Sequence, residues 1–289
     1  MAELADLGPG TADVWWARRQ DASPALAELL DETEQARRAA YRRDEDRMRF
    51  VVGCALAKTV LAAYSGRRPA DVRFDRACAT CGQPHGKPVA AGLGLEHSVS
   101  HSGDLVAVAV ARDPVGVDVE QLDGRARPVG GGDPQAVARL VLGADEQAAL
   151  AAVRPSARAH AFLVAWTRKE AVTKATGDGL RVSFSDVVVA VDSGAPRVLS
   201  WPYPQPPESV SLRDLTAAQG YVAALAVIGR CDTIRTQDGS AYIGSRCGLS
   251  MVTSTTGRRR AEQIKLEQSD ASPGQPAEAD RCRRTWLGN

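Results

Sequence analysis

Lysine is scarce in this chain of 289 residues: of 36 basic side chains only five are lysine (Lys58, Lys87, Lys169, Lys174 and Lys265), and 31 are arginine. An arginine bias of this kind often follows genome composition, so each lysine stands out. It supplies a compact point charge that arginine's planar fork does not reproduce. Isoleucine is missing before position 228; all four copies (Ile228, Ile234, Ile243 and Ile264) lie at or after it. Net charge is also lacking, at a formal +1, which removes bulk electrostatics as an argument for nucleic acid or an anionic membrane as partner. No apolar run approaches the roughly 20 residues needed to cross a bilayer. The first residues, Met-Ala-Glu-Leu-Ala-Asp, are acidic and show no secretion-signal pattern, so a cytoplasmic location is expected. The six cysteines (Cys54, Cys78, Cys81, Cys231, Cys247 and Cys282) are scattered, and reduced thiols are expected. A hydrophobic share of 44% and a charged share of 25% suit a globular chain of one large or two small domains.

Periodicity and turn chemistry give the organisation. A first strand is expected at Asp13–Arg19. A charge-dense helical stretch follows over about 23–46, and a more apolar helix over about 46–64 is stopped by Ser65-Gly66. A short strand is expected at Val72–Phe74, and 78–94 reads as loop. Strands at His97–Ser100 and Leu105–Ala111 flank a turn, and a strand at Val115–Glu120 leads into a Gly-rich loop at 122–134. Helices are expected at about 134–142, from 144, and over about 160–176, the last closed by Gly177 in a left-handed cap. Val187–Val191 and Tyr221–Ile228 are β-like. The repeated order of strand, helices, long helix, loop and strands suggests an internal duplication, with subdomains at 1–112 and 113–229. From Arg230 onward sustained periodicity stops, so 230–289 is expected to lie outside the folded core and to be largely disordered. A chain ending at Gly229 is therefore expected to keep its fold.

Two segments carry most of the chemistry. In Gly116-Val117-Asp118-Val119-Glu120, strand alternation puts Asp118 and Glu120 on one face and the valines on the other. In Trp166-Thr167-Arg168-Lys169-Glu170-Ala171-Val172-Thr173-Lys174, helical spacing puts Glu170 and Lys174 one turn apart. Asp118, Glu120 and Glu170 can then meet a hard cation with an ammonium beside it, a site for a magnesium-bound phosphate compound. The plainer alternatives are a solvated strand edge for Asp118 and Glu120, and an ordinary Glu170–Lys174 helix pair of about 0.2–0.5 kcal/mol.

These segments, with Gly86-Lys87-Pro88, Ser98-Val99-Ser100-His101-Ser102 and Gly177-Asp178-Gly179-Leu180, occur in an order and approximate spacing that resembles the 4′-phosphopantetheinyl transferases of the surfactin-synthetase-activating (Sfp) type, over about residues 13–229. The resemblance implies a pseudo-twofold α/β (α+β) fold of two similar halves with coenzyme A bound between them. It implies transfer of the phosphopantetheine arm to a serine of an acyl or peptidyl carrier protein, release of adenosine 3′,5′-bisphosphate, and a requirement for Mg2+. It makes Asp118, Glu120 and Glu170 the metal ligands and places Lys174, Ser100 and His101 against the phosphates. Gly86, Lys87 and Pro88 would approach the nucleotide, with Arg49 and Arg37 near the 3′-phosphate, where Glu34 stands at a position that can hold lysine in the family. Lys169 matches a position linked to catalysis, and Trp166 reads as packing. The base that deprotonates the carrier serine is left open among Glu170, Asp145 and Glu146. Arg37, Arg38, Arg42, Arg43, Arg47 and Arg49 form a pool that also suits an acidic carrier, or simply a solvated helix face.

Other readings stay beside this one. Cys78, Cys81 and His85 make half of a zinc site, against a plain turn. A magnesium-dependent hydrolase of coenzyme A or a related pyrophosphate would need the same carboxylates, and a carrier-docking module would need none of the chemistry. A duplicated chain holds both halves of such a site, so a monomer is expected. Fatty-acid, polyketide and nonribosomal-peptide carriers all remain open as substrates.

Overall fold

The computed structural model describes residues 4–78, 81–83, 86–122, 134–191 and 194–246. Its strands are β1 (Thr11–Arg18), β2 (Glu96–Ser102), β3 (Leu105–Ala111), β4 (Val115–Gln121), β5 (Val188–Val189), β6 (Val198–Ser200), β7 (Val210–Asp214), β8 (Tyr221–Ile228) and β9 (Thr233–Asp238). Its α-helices are α1 (Pro24–Ala27), α2 (Glu32–Ala40), α3 (Asp44–Ser65), α4 (Pro134–Val141), α5 (Ala144–Ala152), α6 (Arg158–Thr176) and α7 (Gly239–Arg246).

The expected duplication is visible in the topology. The first half runs β1, α2, α3, β2, β3 and forms a sheet in the order β2-β3-β1; the second runs β4, α5, α6, β7, β8 and forms β7-β8-β4. Strand alternation then builds the core on both faces of each sheet. Trp15, Ala17, Val106, Val108 and Val110 face α3, while Leu212, Ala224 and Ala226 face α6. The opposite faces (Ala12, Val14, Ala107 and Ala109 with Val117, Val119, Leu225 and Val227) pack on one another between the sheets.

Helix α3 is 22 residues long and apolar enough to meet a bilayer-spanning test by length and composition. The reason is its position: Phe50 through Ala62 are buried on every side within the fold, and a helix enclosed by protein needs no polar face. Gly66 (φ +67) ends it and Gly177 (φ +80) ends α6, both in the left-handed region. The helical stretch expected over 23–46 is interrupted, because Asp31 and Glu34 form a capping box that starts α2 afresh. Val72–Phe74 forms no strand; only a bridge between Asp75 and Val89 is present there.

The largest correction concerns the tail. Residues 233–238 form β9, which pairs parallel to β1 from Thr11↔Thr233 to Trp16↔Asp238. α7 then docks on the core through Ile243, 2% exposed, and Tyr242 against Trp15. Gly239 allows this approach, since a Cβ there would lie 2.8 Å from the Trp16 carbonyl oxygen. The anchor is electrostatic: Arg235 donates to both carboxylate oxygens of buried Asp13 (2.5 and 3.0 Å), and the Tyr64 hydroxyl donates to the same group. Weak periodicity in 233–246 reflects an edge strand with one wet face, not lack of structure. The remainder of the expected tail, 247–289, lies outside the described residues.

Arg235→Ala leaves the Asp13 carboxylate buried without its cation. It is expected to cost about 3 kcal/mol or more, read as a fall in the urea midpoint, and truncation after Gly229 is expected to cost more than the point variant. A truncated chain as stable as the full one would show that β9 and α7 are dispensable.

Candidate active site at the seam between the two halves

β4 is the edge strand of its sheet, so alternate backbone N–H groups have no ladder partner, yet Val117 and Val119 are fully buried. Buried N–H groups require acceptors. Three serines at alternate positions of β2 supply them: Val117 N–H donates to Ser98 Oγ (3.1 Å), Val119 N–H to Ser100 Oγ (3.3 Å) and Gln121 N–H to Ser102 Oγ (3.1 Å). The halves are thus joined by a row of hydroxyls instead of a backbone ladder. A hydroxyl that accepts can also donate. Ser100 donates to Asp118 Oδ1 (2.8 Å) and Ser102 to Glu120 Oε2 (2.8 Å).

Helix α6 lies directly on β4. Gly116 makes this possible, because a Cβ at that position would stand 2.0 Å from the Ala171 carbonyl oxygen and 2.5 Å from the Ala175 nitrogen. The close approach carries Lys174 Nζ to 2.6 Å from Asp118 Oδ1 and 3.1 Å from Ser100 Oγ. Glu170, one turn earlier, joins the same cluster. Burial first, then the neighbouring Asp118 carboxylate, pushes Glu120 up to about 8. Burial likewise raises Glu170 to about 7, with Asp118 adding to the rise and Lys174 opposing it. Asp118 is also raised by burial, against the pull of Lys174 and Ser100. Burial works against the Lys174 charge, but Asp118 and Glu170 carry its pKa upward. One ammonium therefore faces three carboxylates, and the site is short of positive charge.

The expected metal ligands are thus neighbours, but they do not form a closed cage. Among the described residues, no three His, Cys, Asp or Glu side chains are gathered tightly enough to hold an ion. Asp118 Oδ2 is buried and has no hydrogen-bond partner. An orphaned carboxylate oxygen and an excess of hard oxygen donors fit Mg2+, which commonly takes one or two carboxylates and completes its shell with water and substrate phosphates.

The other expected residues fall on either side of this cluster. His101, on β2, is driven down to about 4 by burial, then by Arg49 and Lys174, and its Nδ1 is buried without a hydrogen-bond partner. It is neutral at physiological pH and lies between a cation of the first half and one of the second. Arg49 Nη1 donates to the Gly103 carbonyl (2.5 Å) and its other amino group pairs with Asp46. Arg37 lies over the Phe50 ring, 6.0 Å from its centroid. Gly86 is buried, with the Ala77 carbonyl oxygen 2.7 Å from any Cβ it might carry. The Gly86-Lys87-Pro88 turn sends Lys87 across to the end of α6, where Nζ donates to the Ala175 carbonyl (3.0 Å) and pairs with Glu96 (3.0 Å). Trp166 stacks on Phe184 at 5.5 Å, a packing role. Cys78 and Gly82 close a turn, Gly82 N–H donating to the Cys78 carbonyl (2.7 Å); His85 lies outside the described residues.

Lys169 is a correction. It is 0% exposed and points away from the carboxylates; its Nζ donates to Glu146 Oε2 (2.5 Å), the Phe184 carbonyl (2.8 Å) and the Val141 carbonyl (3.0 Å). Adjacent helical residues lie about 100° apart, so with Glu170 at the seam its neighbour turns to the core. Glu146 is consumed in the same way: it accepts from Gly143 N–H (2.7 Å), Val189 N–H (2.8 Å) and Lys169, so it is no free base. Asp145 is exposed at the start of α5. The first half repeats this clamp. Lys58 is 0% exposed and pairs with Glu34 (2.5 Å) while donating to the Leu29 carbonyl (3.0 Å), and Glu34 accepts from Asp31 N–H (3.0 Å). Leu29, Asp31, Glu34 and Lys58 therefore correspond to Val141, Gly143, Glu146 and Lys169. Glu34 stands where it does because it receives the buried Lys58.

Lys169→Ala strands the Glu146 carboxylate in the core and is expected to cost about 3–5 kcal/mol, read by chemical denaturation; an unchanged midpoint would contradict the clamp. A second expectation concerns pH. Glu120 and Glu170 keep protons in the folded, metal-free protein that the unfolded chain releases near the ordinary glutamate value of 4.5. Stability from this source is complete below that value and is lost as pH rises through about 7 and about 8. Melting temperatures measured from pH 5 to 9 should fall over that window, and Glu120→Gln should flatten the decline.

Residues 114–226, the half that holds these carboxylates, match the family model of the 4′-phosphopantetheinyl transferase superfamily. The chain is 31% identical over 209 residues to the 4′-phosphopantetheinyl transferase HetI of a Nostoc species, covering 71% of this chain and 81% of the relative. It is 29% identical over 151 residues to the 4′-phosphopantetheinyl transferase ffp of Bacillus subtilis, covering 52% and 60%. Against the 4′-phosphopantetheinyl transferase AcpT of Salmonella typhi it is 35% identical over 117 residues, covering 40% and 55%. With the motifs placed on one seam and a relative matched over most of its length, this chain belongs to the 4′-phosphopantetheinyl transferase family.

Proposed function

We infer that this enzyme transfers the 4′-phosphopantetheine arm of coenzyme A to a serine hydroxyl of a carrier protein, releasing adenosine 3′,5′-bisphosphate. The observation that carries the reading is the charge-deficient cluster of Asp118, Glu120, Glu170 and Lys174 on the seam between two like halves. In the reaction, the serine oxygen forms a new P–O bond at the β-phosphate while the bond to the bridging pyrophosphate oxygen breaks. Negative charge grows on the departing bisphosphate, and the serine proton must leave.

The chain's own groups suit each need. Lys174 sets a fixed positive charge beside the cluster for the pyrophosphate. His101, neutral and with a buried orphan nitrogen, offers a hydrogen bond and no charge. Glu170, in the same cluster, is the acid proposed to take the serine proton; Glu146 is occupied by Lys169. Mg2+ would be held by Asp118, Glu120 and Glu170 together with phosphate oxygens, and it would supply charge neutralisation across the pyrophosphate. Arg37 and Arg49 support a place for the 3′-phosphate at the α2–α3 side, and Lys87 one for the nucleotide at the end of α6. Because both halves of the site come from one chain, the working unit in this reading is a monomer, and its setting is the cytoplasm.

The test is incubation with coenzyme A, Mg2+ and a panel of apo carrier domains, read by intact mass. The carrier is expected to gain one phosphopantetheine arm, and Asp118→Ala to abolish the gain by at least about 100-fold without loss of the folded far-ultraviolet signal. Free phosphopantetheine with an unmodified carrier would instead favour a hydrolase.

A further inference from the structure

Ser102 has so far only a place in the row of hydroxyls at the seam, yet it makes the same double contact as Ser100. Its hydroxyl accepts from Gln121 N–H (3.1 Å) and donates to Glu120 Oε2 (2.8 Å). Of the two acids on β4, Glu120 is the more loosely held. It sits one residue from the end of β4, its burial is partial where Asp118 is 3% exposed, and Lys174 pairs with Asp118 and not with it. A glutamate side chain has one more rotatable bond than aspartate, so without an external hold its carboxylate spreads over several rotamers. The donor on β2 removes that freedom. It also leaves Glu120 Oε1 outside this hydrogen bond and able to meet a cation.

We propose that Ser102 is a positioning residue for the transfer: through its hydroxyl, strand β2 of the first half orients the Glu120 carboxylate of the second half for the divalent cation. The inference rests on the metal reading given above. It gives the row of serines two separable duties. Ser98 ties the seam alone, since its hydroxyl accepts from Val117 N–H (3.1 Å) and, among the described residues, contacts no carboxylate. Ser102 ties the seam and aims a ligand. The geometry also explains why one residue can couple the halves to the chemistry: a shift of β2 relative to β4 would move the Glu120 carboxylate with it.

The experiment is calorimetric titration of the full-length protein with Mn2+, alongside the Mg2+ dependence of transfer. Ser102→Ala is expected to weaken Mn2+ about 10–100-fold, and to raise the Mg2+ concentration for half-maximal transfer similarly while kcat at saturating Mg2+ changes little. Ser102→Thr keeps the hydroxyl and is expected to return both values toward wild type. Ser98→Ala is expected to lower the melting temperature and leave Mn2+ affinity unchanged. Should Ser102→Ala fail to fold, Ser102→Cys keeps the volume with a weaker donor, and the same weakening is expected. Wild-type affinity in the Ser102→Ala protein, or equal weakening by Ser98→Ala, overturns the proposal and leaves the transferase reading intact. A wild-type protein that binds no Mn2+ overturns both the metal assignment and the role given to Ser102.

Discussion

Everything at the seam depends on the ion pair between Lys174 and Asp118, with Ser100 bridging them. It is the point at which α6, β4 and β2 meet: both charges belong to the second half, and the first half reaches them through the Ser100 hydroxyl, where there is no backbone ladder. One ammonium faces a buried carboxylate and two half-buried ones, and burial first of all displaces all three acids upward. An assembly of this kind is held ready for positive charge at a modest cost in stability, which the rest of the core must offset. The close contact of α6 on β4 across Gly116 keeps the group together, since any side chain there would lift the helix and take Glu170 and Lys174 with it.

Duplication explains the scaffold, and its breakdown explains the chemistry. The two halves share strand order, a long helix and a buried lysine clamped to a capping-box glutamate: Lys58 with Glu34, Lys169 with Glu146. Those clamps hold each long helix to the short helix before it. The acidic cluster has no counterpart in the first half, where Thr59 and Ala63 stand one residue and five residues after Lys58, as Glu170 and Lys174 stand after Lys169. The first half instead supplies hydroxyls, His101 and arginines to a site whose acids all come from the second.

Much of this was legible in the chain. Strand alternation put Asp118 and Glu120 on one face, helical spacing put Glu170 beneath Lys174, and Gly177 marked the end of α6. Lys169 was misread because scarcity flags a lysine as purposeful without saying which purpose; its ammonium serves the core. The serine row escaped notice beyond Ser100 and His101, since three hydroxyls at alternate positions look like any half-polar strand until an edge strand needing acceptors is laid beside them. Residues 233–246 were discounted for want of periodicity, although an edge strand with a buried arginine–aspartate anchor needs little.

The sequence by itself determined most elements up to β8, the family and which acids share a face, because these rest on local spacing and on residue chemistry. Only the tertiary structure decided which charges gather at the seam and which are spent in the core, for that turns on the side of a helix a residue faces and on the partner it meets there. It also decided that the chain's later segment completes the first sheet, because a parallel strand is recruited by a distant edge and a distant charge, neither of which leaves a mark on its own residues.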